Sequence, residues 1–169
     1  DILRVADKNP NRAGVLRVLA DEGIAIAPFA EFKSAISAGR IKAVLLVGHE
    51  TSEIEALAKM LGPLEIVVAI AHARTLLADV AHVTLPSLPW IQVDGTWINT
   101  DRRAQRLTPS CAPSGNARSC GQWLLAIGEG LGAVIELPSP QTIRVEMERT
   151  LSSFSNARLT ALGEGGHVL

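Results

Sequence analysis

The segment from Asp94 to Arg106 concentrates side chains that could bind an anionic ligand. It contains Arg102, Arg103 and Arg106 together with several amide and hydroxyl side chains, all within a few residues of one another. Guanidinium groups bind phosphates and carboxylates through two parallel hydrogen bonds. The segment could therefore hold a phosphate-bearing cofactor or the acidic surface of a partner, and a solvated loop is the alternative interpretation.

A second candidate lies where the strand-like run Ala43–Val47 is followed by Gly48, His49 and Glu50. In open α/β sheets ligands bind at this position, because free N–H groups and the dipole of the following helix favour anions. Only one glycine is present, so neither the dinucleotide-binding nor the phosphate-loop pattern is complete. Glu50 and Glu53 also place negative charge where a phosphate would lie. A plain strand-to-helix turn is the alternative.

The histidines and cysteines predict neither a metal site nor a catalytic site. His49, His72 and His82 lie near strand ends or starts, and none has a second ligand at metal spacing. Cys111 and Cys120 match no redox, zinc or iron–sulfur pattern, so we interpret them as free thiols in a reduced compartment, with a disulfide as the alternative. No catalytic triad order and no HExxH motif is present. We therefore predict no catalytic and no metal-ligating residue in this chain.

Composition indicates a globular protein with a small-residue core. Hydrophobic residues make up 47% of the 169 residues, and aromatic residues only 4% with no tyrosine, which is typical of strands buried on both faces. The formal charge of −1 predicts no binding to nucleic acid or to anionic lipid. No apolar run reaches the roughly 20 residues that a membrane span needs. Because the chain begins with Asp1 and continues directly into a strand-like run, we interpret it as an internal piece of a longer protein.

Short apolar runs alternate with helical segments as far as about Ser87. Strands are predicted at Ile2–Ala6, Ile24–Pro28, Ala43–Val47, Leu64–Ala71 and His82–Leu85. Helices are predicted at Arg12–Glu22, Glu31–Ala38, Ser52–Leu61 and Ala73–Val80. This alternation requires crossover connections. The predicted fold class is therefore α/β, with an open parallel Rossmann-like sheet that carries helices on both faces.

Local signals support this pattern. Glycines follow three of the helices as stop signals, and Ser52 with Glu55 forms a predicted capping box at the start of the third of them. The runs Ala43–Val47 and Ile66–Ile70 are apolar at every position, which predicts a central strand for each.

The pattern changes after Ser87. Trp90–Ile98 is predicted to form a hairpin with Asp94 and Gly95 at its turn. Helices are predicted at Gln122–Glu129 and Gln141–Ser153, the latter with Ile143, Met147 and Leu151 on one face, and the glycine-rich tail at 163–166 is predicted to be frayed. The predicted organisation is an α/β domain at 1–87, an extended hairpin and loop at 88–118, and a C-terminal helical segment at 119–169.

Three stretches resemble the molybdopterin oxidoreductase family. Residues 76–86 (LLADVAHVTLP) and 93–106 (VDGTWINTDRRAQR) are similar to its "ADVVLP" and "EKDGTFTNTEGRVQR" sequences, and residues 41–50 (IKAVLLVGHE) to its "IKALYVVGENP" strand. Within the family, Arg103–Arg106 followed by Pro113, Arg118 and Trp123 looks most like the large iron–sulfur subunit of NADH:quinone oxidoreductase, respiratory complex I.

This closer resemblance implies a non-catalytic scaffold within an electron-transferring subunit. It implies no cofactor in this chain, iron–sulfur clusters elsewhere in the parent subunit, and other subunits of the respiratory complex as partners. It also implies a cytoplasmic location, peripheral to the inner membrane through the complex, without membrane insertion of this chain.

The family resemblance also permits a second hypothesis, the central domain of a molybdenum or tungsten enzyme such as a formate dehydrogenase. In that case the segment would line the bis-guanine-dinucleotide cofactor. The candidate cofactor contacts are Asp94, Gly95, Thr96, Asn99, Thr100, Arg103 and Gln105. Arg102 stands where the family has glycine, which we interpret as an argument against an intact pterin site. A free-standing Rossmann-like binding module is a third hypothesis, but it lacks the dinucleotide fingerprint.

Overall fold

The computed structural model describes residues 11–48, 54–134, 136 and 138–169, and the chain divides into two compact units. Unit 1 contains residues 1–26, 93–110 and 138–169, and unit 2 contains residues 27–92 and 111–137. Each unit therefore draws on separate parts of the chain. The contiguous organisation into 1–87, 88–118 and 119–169 stays a prediction.

The described helices and strands alternate in the first half of the chain. In chain order they are α1 Arg12–Asp21, α2 Phe29–Ser37, β1 Ala43–Val47, α3 Ile54–Leu61, β2 Ile66–Ala71, α4 Leu76–Val80, β3 Val83–Pro86, β4 Gly95–Ile98, β5 Arg103–Leu107, α5 Cys120–Gly130, α6 Pro140–Thr150 and β6 His167–Val168. Short 3-10 turns lie at Trp90–Gln92, Ser152–Phe154 and Leu159–Ala161.

Unit 2 contains a parallel sheet in the order β1-β2-β3, flanked by helices. This confirms the predicted α/β class and the three strands from Ala43 to Pro86. Val47 lies opposite Ile70, and Ile70 opposite Leu85, so the carboxyl ends of the strands share one edge. Among the described strands β2 is the central one, as predicted, whereas β1, for which the same role was predicted, lies at one end of the order. An apolar run alone cannot distinguish the two positions, because both strands are apolar throughout.

The core of unit 2 lies between the sheet and its helices. Side chains of α3 and α4 cluster with Val67 of β2, and Phe32 and Ile36 of α2 pack against them. Leu57 and Leu61 supply the apolar face of α3, at the helical spacing expected from the sequence. The predicted capping box at Ser52 lies outside the described residues.

Unit 1 is built from α1, α6 and an antiparallel sheet in the order β4-β5-β6. Its core contains Ile98, Ala104, Leu151, Phe154, Ala157 and Leu159. The Asp21 carboxylate at the end of α1 accepts hydrogen bonds from the Ser153 amide at 2.9 Å and from the hydroxyl groups of Ser152 and Ser153. These bonds, the Ser153 amide first, lower the pKa of Asp21 below its usual value.

Two predicted elements are wrong. Ile24–Pro28 forms no strand, and Ile24 and Ile26 are more than half exposed, because a β-branched run becomes a strand only beside a pairing partner. The hairpin does not turn at Asp94 and Gly95. Trp90–Gln92 instead forms a 3-10 turn, and β4 pairs with β5 across a turn at residues 99–102. The predicted strand Ile2–Ala6 lies outside the described residues.

The glycine-rich tail is ordered against the sheet, so the prediction of a frayed end is wrong. β6 pairs with β5, and the Leu169 amide donates to the Arg102 carbonyl at 2.9 Å. Gly166 has a φ of 69°, and a Cβ built there would overlap the Ala104 carbonyl oxygen and lie 2.9 Å from Gln105 Cγ. A glycine is therefore required at this contact.

We expect Gly166→Ala to lower the free energy of unfolding by about 1–3 kcal/mol more than Gly23→Ala, because overpacking adds to the cost of a left-handed alanine. Gly23 is a matched control in the same unit, with a φ of 66° and no atom within 4 Å of an added Cβ. Urea unfolding followed by circular dichroism measures both. Equal losses would contradict the close approach of the tail.

Candidate functional site

The hairpin β4–β5 carries the candidate residues of the Asp94–Arg106 segment on two different faces. Ile98 lies opposite Ala104, and both side chains are buried in the core of unit 1. Because side chains alternate along a strand, Thr96 and Arg106 share this core face. Arg103 and Gln105 belong to the opposite, outward face. The candidates therefore do not form one continuous site.

A buried arginine from α6 holds the start of β4. Arg144 has only 3% of its surface exposed. Its Nη2 donates to Asp94 Oδ1 and, at 3.4 Å, to the Gly95 carbonyl, and its Nε donates to Thr96 Oγ1 at 3.2 Å. Gln141 accepts from its Nη1 at 3.2 Å. A buried guanidinium needs such a full set of partners, since an unpaired buried charge is very costly.

The pairing with Arg144 assigns an internal role to three of the predicted contact residues. Asp94 lies between Arg144 and Arg106, whose Nη2 is 3.6 Å from Asp94 Oδ2. The carboxylate is thus compensated inside unit 1. Asp94, Gly95 and Thr96 anchor the ribbon to α6.

Sequence reasoning missed Arg144. The predicted apolar face of α6 began at Ile143, but Ile143 is 39% exposed and Arg144 is buried in its place. Arg144, Met147 and Leu151 follow the i, i+3, i+7 spacing of a core-facing stripe. A lone arginine at the first position of that stripe was the available signal for a buried ion pair.

The turn of the hairpin explains the arginine at a glycine position. Asn99 Oδ1 accepts from the Arg103 amide at 2.9 Å, and the Arg102 amide donates to the Asn99 carbonyl at 3.0 Å. Arg102 has a φ of 61°, in the left-handed region where glycine is favoured. The turn itself therefore accounts for a glycine preference here. Arg102 consequently carries no argument against a ligand near the hairpin.

Only part of the hairpin surface is available to a ligand. Arg103 Nη1 donates to the Gly165 carbonyl at 2.8 Å, so this guanidinium is held by the tail. The side chains of Thr100 and Gln105 are exposed and make no hydrogen bond to other described residues. On the other face, Arg106 is still about half exposed and has only the long contact to Asp94. The available donors of the hairpin are therefore a hydroxyl, an amide and a guanidinium.

The strand-end candidate is described only at Gly48. Its amide donates to the Ile70 carbonyl at 3.0 Å, its φ is 106°, and an added Cβ would meet nothing within 4 Å. Gly48 therefore still bonds to β2, and its φ is one that residues with side chains rarely adopt. His49 and Glu50 lie outside the described residues, so their part of this site stays a prediction.

The histidines and cysteines have ordinary environments. His82 Nδ1 accepts from the Val67 amide at 3.0 Å, which is a structural role. Cys111 and Cys120 are free thiols, as interpreted from their spacing, and burial raises the pKa of Cys120. Within residues 11–48, 54–134, 136 and 138–169, no group of His, Cys, Asp or Glu could hold a metal ion, and no helix is long and apolar enough to cross a membrane.

Comparison with known proteins gives a family and several named relatives. The sequence pattern of the molybdopterin oxidoreductase family matches residues 11–129. "Putative formate dehydrogenase YrhE" of Bacillus subtilis is 32% identical over 134 residues, 76% of this chain and 14% of that protein. "Nitrate reductase" of Symbiobacterium thermophilum is 37% identical over 99 residues, 56% of this chain and 13% of that protein. "Putative formate dehydrogenase SH0748" of Staphylococcus haemolyticus is 28% identical over 128 residues, 73% of this chain and 13% of that protein.

The share of each relative that the chain covers, and the names of the relatives, both bear on the resemblance to complex I. The chain spans between 13% and 14% of the length of these three relatives. Their names point to formate dehydrogenase and nitrate reductase, and none of them is a complex I subunit. The family-level resemblance is confirmed, whereas the complex I resemblance receives no support from these relatives.

We expect Arg144→Met to lower the free energy of unfolding by about 3 kcal/mol, because it leaves the partly buried Asp94 without its main partner. Arg149→Met on the same helix is the matched control, since it breaks the exposed pair with Glu146 and exposed pairs contribute about 0.5 kcal/mol. Chemical denaturation measures both. Similar small losses for the two variants would show that the buried pair does not anchor the hairpin.

We expect Arg102→Gly to raise the free energy of unfolding by about 0.5–1 kcal/mol, because glycine relieves the left-handed backbone strain. The neighbouring Asp101 does not have a positive φ, so Asp101→Gly should lower stability by about the same amount. Thermal and urea unfolding of the two variants are compared with the parent chain. Destabilisation by Arg102→Gly would refute the turn-based explanation.

Proposed function

The chain belongs to the molybdopterin oxidoreductase family, and from this premise we propose that it is a central domain of a molybdenum- or tungsten-dependent enzyme of the formate dehydrogenase type. The main support is the family match, which spans both the parallel sheet and the hairpin in one stretch. The names of the relatives add the reaction class. Because the chain corresponds to a small part of those relatives, the activity is proposed for the longer protein that contains this chain, called the parent protein below.

The available donors of the hairpin fit a pterin dinucleotide cofactor. Thr100 and Gln105 can donate to and accept from the polar edge of a pterin, and Arg106 can bind a phosphate. The described residues offer no metal-ligand group, so the proposal assigns the metal ligands to other parts of the parent protein. When bound, the cofactor supplies the redox chemistry. The role proposed for this chain is to bind and orient it.

The hydrogen bonds that the hairpin side chains make within unit 1 favour a second candidate function, a non-catalytic scaffold. Arg103 is held by the tail, Asn99 closes the turn, and Asp94 and Thr96 bind Arg144. A hairpin with these internal bonds can serve structure alone. In that case the chain would brace a respiratory oxidoreductase complex, with other subunits as partners and a cytoplasmic, membrane-peripheral location. The names of the relatives favour the enzyme.

We expect the purified parent protein to contain molybdenum or tungsten by elemental mass spectrometry, to release a fluorescent pterin on acid oxidation, and to reduce a dye with formate. Gln105→Ala and Arg106→Ala should each weaken cofactor retention about tenfold, the cost of one or two hydrogen bonds. Arg149→Ala, on the exposed surface of α6, serves as the control. A folded parent protein without metal and without pterin would refute the enzyme and leave the scaffold.

A further inference from the structure

Arg118 lies at the carboxyl end of β3 and stacks on an indole ring. Its guanidinium carbon is 4.8 Å from the centre of the Trp123 ring. Residue 118 also forms a parallel bridge with Ser87, the first residue after β3. Arg118 therefore extends the carboxyl edge of the sheet in unit 2, which is the edge where ligands bind in open α/β sheets.

The main chain and the ring under the guanidinium are both held in place. The Pro86 carbonyl accepts from the Arg118 amide at 3.1 Å and from Trp123 Nε1 at 2.7 Å. The Leu88 amide donates to the Arg118 carbonyl at 3.0 Å. One carbonyl group thus fixes both partners of the stack. The orientation of the guanidinium is set before any ligand binds, which lowers the entropic cost of binding.

The charge of Arg118 is not compensated by the described part of the chain. Arg74, Arg106, Arg144 and Arg149 each pair with a carboxylate. Arg118 is exposed and pairs with no described carboxylate. Stacking uses the flat face of the guanidinium and leaves the N–H groups at its rim free. Those groups match the oxygens of a phosphate in a bidentate geometry.

The start of the neighbouring helix α5 is partly satisfied by its own side chains. Ser119 caps α5, with its hydroxyl accepting from the Gln122 amide at 3.2 Å and its own amide donating to Gln122 Oε1 at 2.9 Å. This capping box satisfies two of the N–H groups that would otherwise attract an anion. The binding group at this edge is therefore the side chain of Arg118.

We propose that Arg118, oriented by Trp123, binds a phosphate or pyrophosphate group of a ligand at the carboxyl edge of the unit 2 sheet. The site is separate from the hairpin residues discussed above, which belong to unit 1. It rests on the proposed function only for the identity of the ligand, since a dinucleotide cofactor carries a pyrophosphate. Binding of the anion itself requires no cofactor.

The test is a titration of the chain with inorganic pyrophosphate at constant ionic strength, followed by the indole N–H resonance of Trp123. We expect a saturable shift of this resonance in the unsubstituted chain. Arg118→Gln should weaken binding at least tenfold, and Arg118→Lys severalfold, because an ammonium group keeps the charge but loses the bidentate geometry. Trp123→Phe retains a ring but loses the bond to Pro86, and we expect it to weaken binding measured by calorimetry.

The matched control is Arg40→Gln. Arg40 is another exposed arginine of unit 2, and it precedes β1 at the amino edge of the sheet. We expect unchanged binding in this variant. An equal loss in Arg40→Gln, full binding in Arg118→Gln, or no saturable shift in the unsubstituted chain would each overturn the proposal. A retained circular dichroism spectrum in Arg118→Lys distinguishes lost binding from lost folding.

The two proposals fail in different ways. A parent protein that holds metal and pterin while Arg118→Gln leaves pyrophosphate binding unchanged overturns the Arg118 site alone. Pyrophosphate binding that depends on Arg118, in a parent protein without pterin, supports the site and refutes the proposed enzyme.

Discussion

The ion pair between the buried Arg144 and the partly exposed Asp94 is the interaction on which unit 1 depends. The guanidinium is nearly excluded from water, so it must find all of its partners within the protein. Those partners are the first residues of β4 and one residue of its own helix. Because the bonds reach Asp94, Gly95 and Thr96, they fix the position of the hairpin on α6. A purely apolar contact would not select one register so strictly.

This constraint separates the faces of the hairpin. Thr96 and Arg106 lie toward the core, with Asp94 compensated between two arginines. The outward face carries Gln105, and Arg103 is taken by the tail. The tail in turn lies so close to β5 that Gly166 cannot be replaced without overlap. A ligand can therefore reach only a few donors on the hairpin, which is held by Arg144 and by the C-terminal tail.

Unit 2 has a different arrangement, a stacked arginine, at the edge of its sheet. The Pro86 carbonyl accepts two hydrogen bonds, and both orient the stack of Arg118 on Trp123. The guanidinium of Arg118 has no carboxylate partner among the described residues, and it is held in place by the Trp123 ring. In unit 1, by contrast, the buried cation is fully satisfied and serves structure. The burial and pairing of an arginine, rather than its residue type, therefore indicate which role it has.

The sequence by itself determined the α/β class, the strands from Ala43 to Pro86 and the family, because apolar periodicity and local motifs are properties of neighbouring residues. It also singled out Asp94–Arg106 as a candidate binding segment, although it placed the hairpin at Trp90–Ile98. Only the tertiary structure decided where that hairpin turns, why Arg102 occupies a left-handed position, and that Arg144 lies in the core. Each of these depends on contacts between residues distant in the chain. Asp94 and Gly95 have the composition of a turn, but their pairing with a helix 50 residues away prevails over that local preference.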